Sequence, residues 1–139
     1  MAQKIRDVMT RDPRTIQANS TVAEAAKVMR EADVGPVIVT EGDKIAGIVT
    51  DRDVAVRAVA MDRDPKSTPV KEIISSDVVA LSPDDSVGEA VQAMRQRDVR
   101  RVPVVENGKP VGIVALGDLA VDRDPGSVLG DISTASPNR

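Results

Sequence analysis

The amino-acid sequence predicts an α+β/α/β fold made of two pseudo-symmetric β-α-β-β-α repeats around one core, and three observations predict it. First, laid over itself at an offset of 65 residues the chain repeats without a gap: Gly47-Ile48-Val49-Thr50-Asp51-Arg52-Asp53 falls on Gly112-Ile113-Val114-Ala115-Leu116-Gly117-Asp118. The match continues backward through Val39/Val104, Val34/Val99, Asp33/Asp98, Met29/Met94, Ala25/Ala90, Glu24/Glu89, Val22/Val87, Ile16/Leu81 and Val8/Ile73. Second, helical spacing and β-branched runs alternate in the same order in both copies. Third, half of a 139-residue chain is marginal as an independent fold, so the two units should share their core.

Each copy opens on a short apolar stretch, Thr15-Ile16 or Val78-Val79-Ala80-Leu81. Thr21-x-x-Glu24 and Ser86-x-x-Glu89 follow as capping boxes, in which the hydroxyl and the carboxylate satisfy each other's backbone N–H at a helix start. Val22, Ala25, Ala26 and Met29, like Val87, Ala90, Val91 and Met94, then fall at i, i+3, i+4 and i+7, one buried helical face. Both helices should end near Arg30-Glu31 and Arg95-Gln96. The β-branched runs Val34 to Thr40 and Val99 to Val105 read as strands, turned by Glu41-Gly42-Asp43 and Glu106-Asn107-Gly108 into Ile45 to Val49 and Val111 to Val114. A second helix should run from Asp51 to about Ala60, and a shorter one from Gly117 to about Val121. Repeat 1 therefore covers residues 4–64 and repeat 2 residues 65–121, with 122–139 as a short extension. In that extension Val128 to Ile132 suggests one more docking turn, and Ser133 to Arg139 should fray. Asp62-Arg63-Asp64-Pro65 and Asp122-Arg123-Asp124-Pro125 read as caps or a solvated face and receive no ligand.

Composition removes most chemistry. The chain has no Cys and no His, which excludes disulfides, zinc sites of the usual kind, thiol nucleophiles and His-based triads. No pair of carboxylates is spaced for general acid–base work, so the expectation is a protein that is not an enzyme. With no Phe, Tyr or Trp and a net charge of −3, neither a stacking platform nor a basic stretch is present, so nucleic acid is a poor partner. The amino terminus lacks an apolar leader and no apolar run approaches the ~20 residues that span a bilayer. The expected location is the cytoplasm, without membrane contact.

The Gly-hydrophobic-x-Thr-x-x-Asp ending, set at the strand-to-helix junction of a duplicated β-α-β-β-α unit, resembles a tandem pair of cystathionine-β-synthase (CBS) domains, a Bateman module, over about Lys4 to Val121. The resemblance implies two repeats packed sheet to sheet and a regulatory sensor, non-catalytic and needing no cofactor. It implies adenosine-containing ligands, AMP, ADP, ATP or S-adenosylmethionine, held in clefts between the repeats. An adenosine nucleotide would be the regulatory ligand, a second copy the dimer partner, and an unidentified effector protein the reader of its state.

Two constellations suit that role. Thr50 stands where a strand stops and a helix starts, a place suited to phosphate, and Asp53 offers two acceptor oxygens to the two hydroxyls of a ribose. The same pair also reads as a plain capping-box variant, and in the second copy Ala115 has lost the hydroxyl while Asp118 remains. In Asp98-Val99-Arg100-Arg101-Val102-Pro103-Val104, two guanidinium groups flank the start of a buried strand. They resemble the arginines with which family members reach ligand phosphates, Arg101 first and Arg100 second; the other reading makes them surface charges neutralised by Asp84, Asp85 or Asp98. Carried over from the family, a first site joins Thr50, Arg52 and Asp53 to Val79, Ala80, Val99, Arg100 and Arg101. A second, weaker one joins Ala115 and Asp118 to Ile16, Val34, Gly35 and Pro36, and no metal is implied in either. An alternative from another class is a constitutive dimerisation module with vestigial sites, its interface the apolar helix faces of Ala55, Val56, Ala58 and Val59 with Leu119, Ala120 and Val121.

Overall fold

The computed structural model describes residues 4–74 and 78–123, the last four by their backbone. The elements are β1 (Thr10–Arg11), β2 (Thr15–Gln17), α1 (Val22–Ala32), β3 (Pro36–Glu41), β4 (Lys44–Thr50), α2 (Asp51–Asp53), α3 (Val87–Arg97), β5 (Arg101–Glu106), β6 (Lys109–Ala115) and α4 (Leu116–Arg123). Single 3₁₀ turns cover Ile5–Asp7 and Val70–Glu72, and α2 runs on as a π-helical stretch, Val54–Val59. The duplicated order expected from the sequence is present. The second DRDP tetrad beyond Arg123, the docking turn at Val128 to Ile132 and the tail from Ser133 lie outside the described residues.

The described residues divide into two compact units, residues 14–74 with Val78, and residues 79–123 together with 4–13. Within the first unit β2, β3 and β4 form one sheet, β2 parallel to β3 and β3 antiparallel to β4. Thr21 Oγ1 accepts from the Glu24 N–H at 3.1 Å and Glu24 Oε2 accepts from the Thr21 N–H at 3.3 Å, so the capping box is complete. Val22, Ala25 and Met29 are buried as their spacing requires. The helices end at Ala32 and Arg97, one or two residues past expectation, because Asp33 and Asp98 adopt the left-handed conformation (φ 56° and 53°) and close the last turn on the Met29 and Met94 carbonyls. In the second hairpin Asn107 and Gly108 both have positive φ (53° and 79°), the two-residue turn that matches strand twist.

The second unit departs from the first at its edge. Its sheet has the order β1-β6-β5, and the expected strand from Val78 to Leu81 shrinks to one parallel bridge, Leu81 with Val104. Pro103 is the reason. Its counterpart Ile38 donates its N–H to the Arg14 carbonyl at 2.9 Å, a rung that proline cannot supply. The open flank of β6 is taken instead by β1, with Thr10 opposite Ile113 and Arg11 opposite Gly112. Gly112 permits this: a Cβ there would stand 2.7 Å from Met9 Sδ and 2.9 Å from the Thr10 carbonyl oxygen.

Among the described residues each unit has its own apolar cluster. The first gathers Val22, Ala25, Val37, Val39 and Val49 with Val70 and Ile73; the second gathers Val87, Ala90, Val102, Val104 and Val114 with Ile5. What makes each large enough is a flanking segment. Ile5, fully buried, contributes about 1.5–3 kcal/mol, and its backbone N–H is bonded to the Asp85 carbonyl at 2.9 Å. Arg6 adds an ion pair to Asp84. Residues 4–13, which open the first sequence repeat, thus pack in the unit of the second, while Val70 to Ile73, which open the second by sequence, pack in the unit of the first. Among the described residues no helix is long and apolar enough to cross a membrane.

Candidate functional site

In each unit the end of the sheet where one strand begins and its neighbour passes into a helix gathers the sequence-predicted residues. In the first unit Pro36 lies opposite Thr50 across the ladder, and the Asp51 N–H donates to the Gly35 carbonyl at 3.2 Å. In the second, Arg101 lies opposite Ala115 and the Leu116 N–H donates to the Arg100 carbonyl at 2.8 Å. The folded repeat therefore brings Val34, Gly35 and Pro36 to Thr50, Arg52 and Asp53, and likewise Val99, Arg100 and Arg101 to Ala115 and Asp118. Ile16 sits in β2 beside Val39, half-buried, and Val79 and the exposed Ala80 lead into the Leu81 bridge.

At the first junction the capping reading is realised in full. Asp53 Oδ2 accepts from the Thr50 N–H at 2.9 Å and from the Thr50 hydroxyl at 3.0 Å, and the hydroxyl oxygen accepts from the Asp53 N–H at 3.2 Å. The Arg52 N–H is bonded to Asp51 Oδ1 at 3.0 Å. With Asp51 bonded to Gly35, all three amides at this helix start have protein partners. What remains on Asp53 is Oδ1, which faces the Arg57 guanidinium at 3.8 Å. Arg57 also donates from Nη1 to the Ile73 carbonyl at 3.4 Å.

The second junction keeps the backbone half of that cap and little else. Asp118 Oδ2 accepts from the Ala115 N–H at 2.8 Å. Burial pushes the Asp118 carboxyl above its ordinary range and the Ala115 amide pulls it back only in part. Leu116 stands where the first copy has Asp51 and is 47% exposed, and Val99 is 39% exposed.

The acidic residues that could have neutralised Arg100 and Arg101 are engaged elsewhere. Asp84 pairs with Arg6, and Asp85 Oδ2 caps the Ser82 N–H at 2.8 Å. Among the described residues neither Arg100 nor Arg101 forms an ion pair, Asp98 included. Arg100 is exposed and Arg101 half-buried. A guanidinium without a protein carboxylate, held at a strand entrance by the ladder, is available to an anionic ligand. Arg57 is the residue the sequence reading does not single out; its signal is an acid and a base at i and i+4 on one helix.

Comparison with known proteins agrees with this architecture. The family model of the CBS domain matches residues 5–60 and 70–121. The chain is 42% identical over 133 residues to the CBS domain-containing protein YhcV of Bacillus subtilis, covering 93% of this chain and 94% of that one. It is 32% identical to hypoxic response protein 1 of Mycobacterium tuberculosis, covering 83% and 81%. Among solved structures, a putative signal-transduction protein with CBS domains from Burkholderia ambifaria superposes with a TM-score of 0.75 at 36% identity, over 84% of this chain and 86% of that one. Hypoxic response protein I with two coordinated zinc ions superposes with the same score at 30% identity, over 88% and 99%.

Proposed function

The chain belongs to the CBS-domain family, and on that premise we propose that it is a non-catalytic cytoplasmic sensor of adenosine-containing ligands, AMP, ADP, ATP or S-adenosylmethionine. By the family resemblance, Asp53 receives the ribose hydroxyls of a nucleotide, and Arg101 and Arg100 receive phosphates. One observation carries the reading: two guanidinium groups without carboxylate partners stand at the entrance of β5. The second site, with Asp118 and with Pro36 and Gly35 in place of the two arginines, takes at most a ligand of little negative charge. The zinc bound by the hypoxic response protein does not transfer, because this chain has neither Cys nor His.

Calorimetric titration with AMP, ADP and ATP, and with adenosine as control, tests the assignment. Arg101→Ala should weaken ATP about ten- to a hundredfold, the worth of a charge-assisted hydrogen bond, and leave adenosine unchanged. Parallel losses for ATP and adenosine would assign Arg101 to the pocket's shape instead. A second reading has one observation in its favour: although Ala58 and Leu119 of the expected interface are buried, Val56, Val59 and Met61 stand 46%, 64% and 65% exposed on and just beyond the π-helical stretch. They suit a homodimer interface, in the sensor as in a constitutive dimerisation module; an effector protein would read the sensor's state. If no adenosine compound raises the melting temperature, the module reading stands.

A further inference from the structure

We propose that Arg57 couples occupancy of the Asp53 carboxylate to the segment Val70 to Ile73, an inference that rests on the ribose role of Asp53. Oδ2 is occupied by both donors of Thr50. A ribose diol must therefore donate to Oδ1, the oxygen that the Arg57 guanidinium faces at 3.8 Å, beyond hydrogen-bond length. The same guanidinium reaches the Ile73 carbonyl at 3.4 Å. Ile73 is buried and closes the 3₁₀ turn that completes the first unit's core.

Arg57 is thus a brace between the binding carboxylate and the segment Val70 to Ile73. Asp53 preorganises the guanidinium over the Ile73 carbonyl, and hydroxyls that take Oδ1 compete with it. Ligand binding releases the brace, and by linkage release of the brace favours the ligand. In the second copy the residue at the same step of the helix is Asp122 rather than a cation, so the device belongs to the first repeat alone.

Amide hydrogen exchange of the full chain tests this with and without AMP. The amides of Val70, Lys71, Glu72 and Ile73 are bonded to the carbonyls of Ser20, Ala18, Pro69 and Val70, so loosening is read directly. Without nucleotide, Asp53→Asn and Arg57→Gln should each speed exchange of these amides several-fold, and the double variant should add nothing to either. Exchange in β3 serves as the control for intact packing. AMP should speed the same amides in the unsubstituted protein and have no such effect in Arg57→Gln, which binds AMP at least as tightly. A residue that only supported the fold would lose affinity and exchange response together. Unchanged exchange in Asp53→Asn, or additive effects in the double variant, overturns the brace. Absence of AMP binding in the unsubstituted protein overturns the ribose role, while the nucleotide-free cycle still decides whether the brace exists.

Discussion

The stretch from Thr50 to Arg57 and its counterpart from Ala115 to Asp122 begin on the same backbone-to-carboxylate bond and end in different chemistry. In both, a backbone N–H at the end of a strand donates to the carboxylate three residues on, at 2.9 Å and 2.8 Å. In the first copy the Thr50 hydroxyl and the Arg57 guanidinium share that carboxylate; in the second the Ala115 amide is the bond the carboxyl holds, and burial raises its pKa. The retained aspartate is a helix cap before it is anything else. The groups that share the Asp53 carboxylate, the Thr50 hydroxyl and the Arg57 guanidinium, have Ala115 and Asp122 as their counterparts in the second repeat.

The sharpest way to break the comparison is to remove the two aspartates separately. Asp53→Ala should abolish binding of AMP, ADP and ATP at the main site, at least ~10-fold in affinity for each charged hydrogen bond lost, and leave the fold intact. Asp118→Ala should change nucleotide affinity far less. Equal losses in calorimetric titration would show that the two junctions are functionally alike.

Exchanging the hydroxyl asks whether the caps differ in strength. Thr50→Ala removes both bonds of the side chain and should cost about 1 kcal/mol, read as a fall of roughly 3–5 °C in melting temperature. Ala115→Thr should recover a similar amount in the second unit. A loss at position 50 without a gain at position 115 would mean that the second junction cannot accommodate a hydroxyl.

The smallest effect concerns the charge on Asp118. A carboxyl whose folded pKa is raised contributes stability below its ordinary value of ~3.9, and that contribution is lost as pH rises through the folded value. At neutral pH the ionised group is a cost. Asp118→Asn keeps an acceptor for the Ala115 N–H without the charge, so it should melt higher than the unsubstituted protein at pH 7, the difference shrinking toward pH 4. Melts that run parallel across this range would show that the carboxyl is well solvated.

Much of the fold was legible because its signals are local. Caps at Thr21 and Ser86, hairpins at Gly42 and Asn107-Gly108, and the buried face of Val22, Ala25 and Met29 all depend on residues within one or two turns of each other. So did the alternative reading of Thr50 and Asp53 as a cap, which the geometry realises in full. The arginines at the β5 entrance were visible as charges. Their lack of a carboxylate was not, because ion pairing depends on which distant groups meet, as Arg6 and Asp84 do.

By itself the sequence determined the duplication, the order of elements in each copy, the family and the end of each sheet where charged side chains collect. Only the tertiary structure decided that residues 4–13 complete the second unit and Val70 to Ile73 the first, that Pro103 cuts a strand to one bridge, and that Arg57 stands between Asp53 and the Ile73 carbonyl. The physical reason is one of range. Periodicity and capping are written in neighbouring residues, whereas docking of a flank, loss of a rung and burial of a carboxyl depend on which distant groups share the same few ångströms.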